Sequence, residues 1–167
     1  VTEESAHDTS GDDTPDDDEA AATRRDVDRV IAFSDGVFAI AITLLVLSLE
    51  IPDVNDKNLG EALKDVFPQL VAYGLSFAVI GAYWIAHHKI FRTLKRVDSR
   101  LLKINLLLLG LVALLPFPTE VLGNHADTRL AVVLYSVAIS AVGFTNTFTC
   151  WYISHAGLAT PVSAEEA

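Results

Sequence analysis

The sequence predicts an all-α integral membrane protein with at least four transmembrane helices in the chain. Three observations predict it. Half of the 167 residues (51%) are hydrophobic and only 20% are charged, giving a mean hydropathy of +0.37. The net charge of −10 is concentrated at one end: residues 1–29 hold 11 of the 22 acids and 3 of the 12 bases, which leaves the other 138 residues at only −2. Beyond Arg29 the remaining charges separate four long apolar stretches, each close to the ~20 residues that a helix needs to cross a ~30 Å hydrocarbon core.

The elements follow in order. Val1 to Ala22 contains six charges between Asp12 and Glu19 and no aromatic residue. It cannot bury enough apolar surface to offset the entropy of ordering, so residues 1–25 are expected to form a disordered acidic tail. The segment 30–49 is 20 residues with one charge, Asp35, and the segment 66–88 is 23 residues with none. The stretch 104–119 adds 16 uncharged residues, extended to Leu101 if Lys103 snorkels outward, and the chain from Leu130 to Ala164 is uncharged throughout. The expected spans are 30–49, 66–87, 101–121 and 130–153, within a helical domain of residues 26–156. Residues 157–167 are expected to be a cytoplasmic linker or truncated end. Asn58 to Glu61 has the form of a capping box, which predicts that the second helix starts outside the membrane and bends at Pro68. Pro116 and Pro118 are expected to loosen the end of the third helix.

Lys and Arg set the orientation. Arg24, Arg25 and Arg29 precede the first span, and Lys89, Arg92, Lys95, Arg96, Arg100 and Lys103 crowd the connection between the second and third. The opposite side has Lys57, Lys64 and Arg129. This asymmetry places the N-terminus and the second connection in the cytoplasm of a cell whose inner membrane the chain spans several times. A nucleic-acid partner is excluded by the lack of a basic face on the body, and a disulfide framework by Cys150, the chain's one cysteine.

Asp35 requires explanation, because an ionisable side chain inside a span costs ~2.5–3.5 kcal/mol on insertion scales and must face protein or water. Arg29 lies six positions away, about 120° around the helix, and does not stack on it. Each therefore needs partners elsewhere. The segment Arg29-Val-Ile-Ala-Phe33-Ser34-Asp35 resembles the R-x-x-x-F-S-D signature of the transmembrane protein 175 family, the lysosomal potassium channels of animals and their bacterial relatives. A second segment, Trp84-Ile-Ala-His87-His-Lys-Ile-Phe91, is similar to the family's W-x-x-H-x-x-x-F motif at the cytoplasmic end of its second helix. Asn105 followed by Pro116-Phe117 is a weaker match. The resemblance covers about residues 29–155 and implies a repeat of six helices, of which this chain carries four. It further implies a homotetramer in the lipid bilayer, with the first helix of each subunit lining a central K⁺ pore that has no carbonyl filter. Carried over by position, Ile40 is the apolar constriction, Leu44 and Leu47 continue it, and Thr43 is the pore threonine. In the family the signature residues bond to one another and to the second-helix histidine. That implies a structural network of Arg29, Phe33, Ser34, Asp35, Trp84 and His87.

The stripe can also be read without the family. Gly36, Ile40, Thr43, Leu44 and Leu47 fall within about 100° of arc on an ideal helix. Four copies around an axis would make apolar rings around one hydroxyl ring, where an ion must shed part of its hydration shell. K⁺, less tightly hydrated than Na⁺, loses less there, so the expectation is a K⁺-permeable channel that prefers K⁺ over Na⁺, with K⁺ transient near Ile40 and Thr43. The same spacing also fits ordinary helix packing, and a non-conducting scaffold or small transporter subunit is the alternative function. Asp35 has two readings as well: part of a structural network, or a residue that lines the ion path or relays protons with His87. His88, His125 and His155 are read as interfacial or loop residues, and Trp84, Trp151 and Tyr152 as interfacial anchors. No catalytic or zinc-binding spacing is present, so neither an enzyme nor a metal or other cofactor is expected beyond permeant K⁺.

Overall fold

The structure, a computed structural model, describes residues 15–49, 60, 64 and 66–159. Among the described residues five helices follow in the order α1 (Pro15–Leu44), α2 (Phe67–Phe91), α3 (Ser99–Leu114), α4 (Pro116–Asn124) and α5 (Arg129–His155), and a 3₁₀ turn, Leu45–Ser48, extends α1. Among the described residues four stretches are long and apolar enough to cross a membrane: Asp17–Ser48, Phe67–Phe91, Ser99–Asn124 and Arg129–His155. This is the all-helical, four-span architecture that the charge spacing predicts.

The element ends differ from expectation in physically instructive ways. The first helix starts at Pro15, so residues 15–25, expected to be disordered, are helical. Proline is favoured at a first helical position, where its missing N–H has no partner to lose. Asp17, Asp18 and Glu19 favour the positive end of the helix dipole, and three alanines follow. The capping box at Asn58 lies outside the described residues. The bend expected at Pro68 borders residues outside the described ones; Pro68 itself sits in the first turn of α2, where the absent donor costs nothing. The third span does break at its prolines. Pro116 has no N–H for the Val112 carbonyl, and the Leu115 N–H takes that acceptor at 3.1 Å, tightening the last turn before α4 restarts the helix. There the Thr119 hydroxyl bonds the Leu115 carbonyl at 2.8 Å. Ser76 Oγ of α2 lies 2.8 Å from Thr119 Oγ1 and 3.0 Å from Tyr135 Oη of α5. These buried hydroxyls tie three helices together where the proline break leaves carbonyl capacity free.

The segment expected to be a loose linker after residue 156 is docked over 157–159. Gly157 takes the left-handed conformation (φ 64°) that glycine adopts without a Cβ penalty. Leu158 then bonds its N–H to the Ile153 carbonyl, a Schellman closure, and buries its side chain against Ile153, Leu101 and Phe91. Its carbonyl accepts the Lys95 N–H at 2.8 Å, pinning the α2–α3 connection. At the start of α3 the Asp98 carboxylate caps the helix, accepting the Leu101 N–H at 2.7 Å and the Tyr152 hydroxyl at 2.6 Å. The Tyr152 bond first, and the Leu101 bond second, hold its carboxyl below the usual carboxylate range. Residues 160–167 lie outside the described residues.

Two apolar clusters hold the bundle. One joins Phe38, Ala41 and Leu45 of α1 to Ile80 of α2, Leu108 and Val112 of α3 and Val142 of α5. The other, at the end carrying the basic connection, joins Val27, Phe91, Leu94, Leu101, Ile153 and Leu158. The α2–α5 contact is close enough at one point to require glycine. A Cβ on Gly143 would stand 2.7 Å from Tyr83 Oη, which donates to the Ile139 carbonyl at 2.9 Å. Gly143→Ala is expected to destabilise the protein by about 1 kcal/mol by displacing that hydroxyl from its acceptor. Tyr83→Phe should cost a similar amount, and the double variant no more than Tyr83→Phe alone, because the clashing atom is gone. Thermal unfolding of the four proteins in detergent measures this cycle; simple additivity of the two losses would refute the contact as the cause.

Candidate pore helix and its anchoring network

The first helix has two faces. Ser34, Phe38, Ala41, Leu45 and Ser48 recur every three or four positions, with Val27 two turns earlier, and all are buried within the subunit. About 200° around the helix lies a second row at the same spacing: Arg29, Phe33, Gly36, Ile40, Thr43 and Leu47, with Leu44 beside it. This row is left uncovered by the chain's own helices. Ile40 is 59% exposed, Leu44 41% and Leu47 73%, and Phe33 and Thr43 are exposed as well. Thr43 donates its hydroxyl proton to the Ile40 carbonyl at 2.8 Å. Its proton is thus committed to the helix, and its oxygen is left as an acceptor on the exposed face.

Ser34, at the centre of the buried row, starts a directional chain of hydrogen bonds. Its hydroxyl donates to the Val30 carbonyl at 2.8 Å. Having spent its one proton, Ser34 Oγ can only accept from Asn105 Nδ2, 3.0 Å away on α3. This places the Asn105 amide oxygen toward His87 Nε2 of α2, at 2.8 Å. An amide oxygen only accepts, so the proton of His87 is on Nε2. In this amide orientation the bonds run in one direction from His87 to the Val30 carbonyl, and Ser34, His87 and Asn105 are all buried. The His87 ring is also clamped, stacked on Phe91 at 3.9 Å and tilted against Phe38 at 5.5 Å. Three spans are thereby cross-linked by a buried polar chain at one level of the bundle.

Asp35 points to the side, toward α2. Its Oδ1 accepts the Trp84 indole N–H at 2.8 Å and lies 3.5 Å from His88 Nδ1. The Trp84 and His88 rings lean on each other at 5.4 Å. The pairing that helical geometry demanded of Asp35, on another helix and not with Arg29, is therefore met within the subunit. Arg29 is exposed and joins neither group; among the described residues it has no hydrogen bond or ion pair. Phe33 likewise stands apart, on the exposed row. Of the six signature residues, the structure links Ser34 to His87 and Asp35 to Trp84 in two separate groups.

Sequence reasoning gives two residues in these groups no site role, although it names Asn105 in the weaker family match. Asn105 is the bridge between Ser34 and His87; its signal is an amide between Ile104 and a run of four leucines, a costly residue in a span unless bonded. His88 was read as an interfacial residue, and it instead flanks Asp35. Its position directly after His87, 100° around the helix, was the available signal. Among the described residues, no three His, Cys, Asp or Glu side chains gather as a metal site.

This is a multi-span helical membrane protein whose first helix is anchored on one face by buried polar bonds, with an apolar row and one hydroxyl exposed on the other among the described residues. The family model described as "Endosomal/lysosomal potassium channel TMEM175" matches residues 29–116. The chain is 40% identical over 134 residues to a potassium channel of Streptomyces collinus, covering 77% of this chain and 65% of that one. It is 35% identical over 136 residues to the endosomal/lysosomal proton channel TMEM175 of Bos taurus, covering 74% of this chain and 28% of that one. The crystal structure of a lysosomal potassium-selective channel TMEM175 homolog from Chamaesiphon minutus superimposes with a TM-score of 0.72 at 34% identity, covering 80% of this chain and 76% of that one. The chain belongs to the TMEM175 family of ion channels. It spans just under two thirds of the length of its Streptomyces relative.

Proposed function

We propose that this chain is the pore-forming subunit of a homotetrameric cation channel in the cell inner membrane, its N-terminus cytoplasmic, that conducts K⁺ in preference to Na⁺. The observation that carries this reading is the uncovered row on α1. Ile40, Leu44 and Leu47 remain exposed although the opposite face of the same helix is packed and bonded to its neighbours. Four such rows facing one axis form a narrow apolar path in which the Thr43 oxygens are the polar groups along the constriction. An oxygen whose proton is spent on its own helix can replace a water on a passing cation at little reorganisation cost. Arg29, Phe33, Ser34, Asp35, Trp84 and His87 act in this reading as the frame that holds the pore helix at its cytoplasmic end. No resident cofactor is part of the proposal, and K⁺ is the transported ion.

The test is ion flux from liposomes containing the purified, crosslinked protein, with K⁺, Na⁺ and, through a pH dye, H⁺ read in parallel. The Bos taurus relative is named a proton channel, which makes the proton measurement a direct comparison. The wild type is expected to release K⁺ faster than Na⁺, and Thr43→Ala to lower that preference about threefold, the worth of ~0.6 kcal/mol of differential oxygen coordination. A crosslinked tetramer that passes no more K⁺ than empty liposomes would refute conduction, and the scaffold alternative would replace it.

A further inference from the structure

At the basic end of the bundle a groove of about 620 Å³ lies between the start of α3 and the end of α5. Arg100 and Lys103 stand on one wall and His155 at the end of the other, while Ile104, Phe148 and Trp151 continue it deeper along both helices. No acidic residue lines it. The neighbouring acid, Asp98, is already engaged by the Tyr152 hydroxyl and the Leu101 N–H. Lys103 is exposed and has no ion pair or hydrogen bond among the described residues. The apolar wall is aromatic and uncovered: Phe148 and Trp151 stack at 5.6 Å, Trp151 and His155 lie 4.6 Å apart, and Trp151 is 52% exposed.

We propose that this groove binds an anionic glycerophospholipid, with its phosphate between Arg100 and Lys103 and an acyl chain along Ile104, Phe148 and Trp151. Charge complementarity selects the anion: no carboxylate lines the groove, Lys103 has no ion pair among the described residues, and the one acid near Arg100, Asp98, already accepts the Tyr152 hydroxyl and the Leu101 N–H. The apolar walls select a lipid over a free phosphate. They run about 10 Å from His155 to Phe148 at the helical rise, a length that a soluble anion would leave wet. Cationic pockets between spans on the cytoplasmic side hold acidic headgroups by the same forces. The inference does not rest on conduction.

Tryptophan quenching tests it, since the chain has two tryptophans, Trp84 and Trp151. The full chain is reconstituted in phosphatidylcholine vesicles and titrated with phosphatidylglycerol or phosphatidylcholine brominated on the acyl chain. Trp151→Phe isolates the Trp151 contribution. Brominated phosphatidylglycerol is expected to quench Trp151 at an about fivefold lower mole fraction than the zwitterionic lipid. The Arg100→Gln/Lys103→Gln double variant should abolish the difference, and Arg100→Lys/Lys103→Arg should restore it. Equal quenching by the two lipids in the wild type, or a preference that survives loss of both charges, would overturn the proposal. Absence of quenching by either lipid would also overturn it, showing the groove covered by protein. Excess inorganic phosphate should leave the quenching unchanged; competition down to the phosphatidylcholine level would make the groove a simple anion site and reject the lipid.

Discussion

Ile40→Asn is expected to raise cation efflux by about tenfold and to bring the K⁺/Na⁺ ratio close to one. Ile40 is the exposed branched residue nearest the polar end of the row on α1. In the proposed tetramer a ring of isoleucines would offer a passing ion neither water nor oxygen, so the barrier there would be the cost of partial dehydration. A ring of asparagines supplies amide oxygens and keeps the path wet. A tenfold rise requires only ~1.4 kcal/mol off that barrier, a small part of what the dehydration of a monovalent cation involves. The same change erodes selectivity, because a hydrated path no longer favours the ion that dehydrates more easily. Ile40 is outside the packed core of the subunit, so the variant should fold and assemble as the wild type does. Liposome flux with the two cations measures the result. An Ile40→Asn protein with unchanged rate and unchanged ratio would remove Ile40 from the ion path and leave the row as a lipid-facing or packing surface.

Asn105→Ala is expected to be the most damaging single change in the anchoring network, at about 1–3 kcal/mol. It removes two hydrogen bonds and leaves a buried His87 Nε2–H without an acceptor. Hydrogen bonds between spans average only ~0.6 kcal/mol, since the unfolded chain in a bilayer also finds partners. The larger figure comes from the stranded imidazole donor, pinned between Phe91 and Phe38 and unable to turn toward water. Ser34→Ala should cost less, because it frees one amide hydrogen and leaves the His87 bond intact. The double variant should therefore lose less than the sum of the two. Unfolding by heat or by denaturing detergent, followed through the helical signal, measures all three. If Asn105→Ala melts with the wild type, the chain from Ser34 to His87 does not hold the helices together.

Much of this arrangement is legible in residue order. Charge spacing locates all four spans, because each apolar run is long enough to cross a bilayer and the charges lie between the runs. The facing of α1 is legible too: a row from Gly36 to Leu47 and a row from Ser34 to Leu45 are half a turn apart on any ideal helix. The groups that Asp35, Ser34 and His87 bond to are less so. The helical period excludes Arg29 as the partner of Asp35 but cannot choose among residues on other spans. The role of Asn105 depends on the depth at which α3 packs against α1 and α2, which no local pattern encodes. His88 and His87 look equivalent in sequence, and the 100° step between them sends one to the buried Asn105 and the other to the rim beside Asp35. Pro68 and Pro116 look equivalent as well. Pro68 falls in the first turn of α2, whereas Pro116 follows the full length of α3 and leaves the Val112 carbonyl to the Leu115 N–H.

The sequence by itself determined the membrane class, the four spans, the family signature and the identity of the exposed row, because hydrophobic length, charge placement and helical period are local properties of the chain. Tertiary structure alone decided which signature residues touch. It divided them into a buried chain through Asn105 and a rim group around Asp35, and left Arg29 and Phe33 in neither. It also folded Leu158 back under the α2–α3 connection, where sequence reasoning expected a loose end, because one glycine with positive φ turns the chain toward an apolar cavity. The physical reason is common to each case. A buried polar group must find its partner among whatever neighbours packing brings near, and packing is a property of the whole bundle rather than of any one helix.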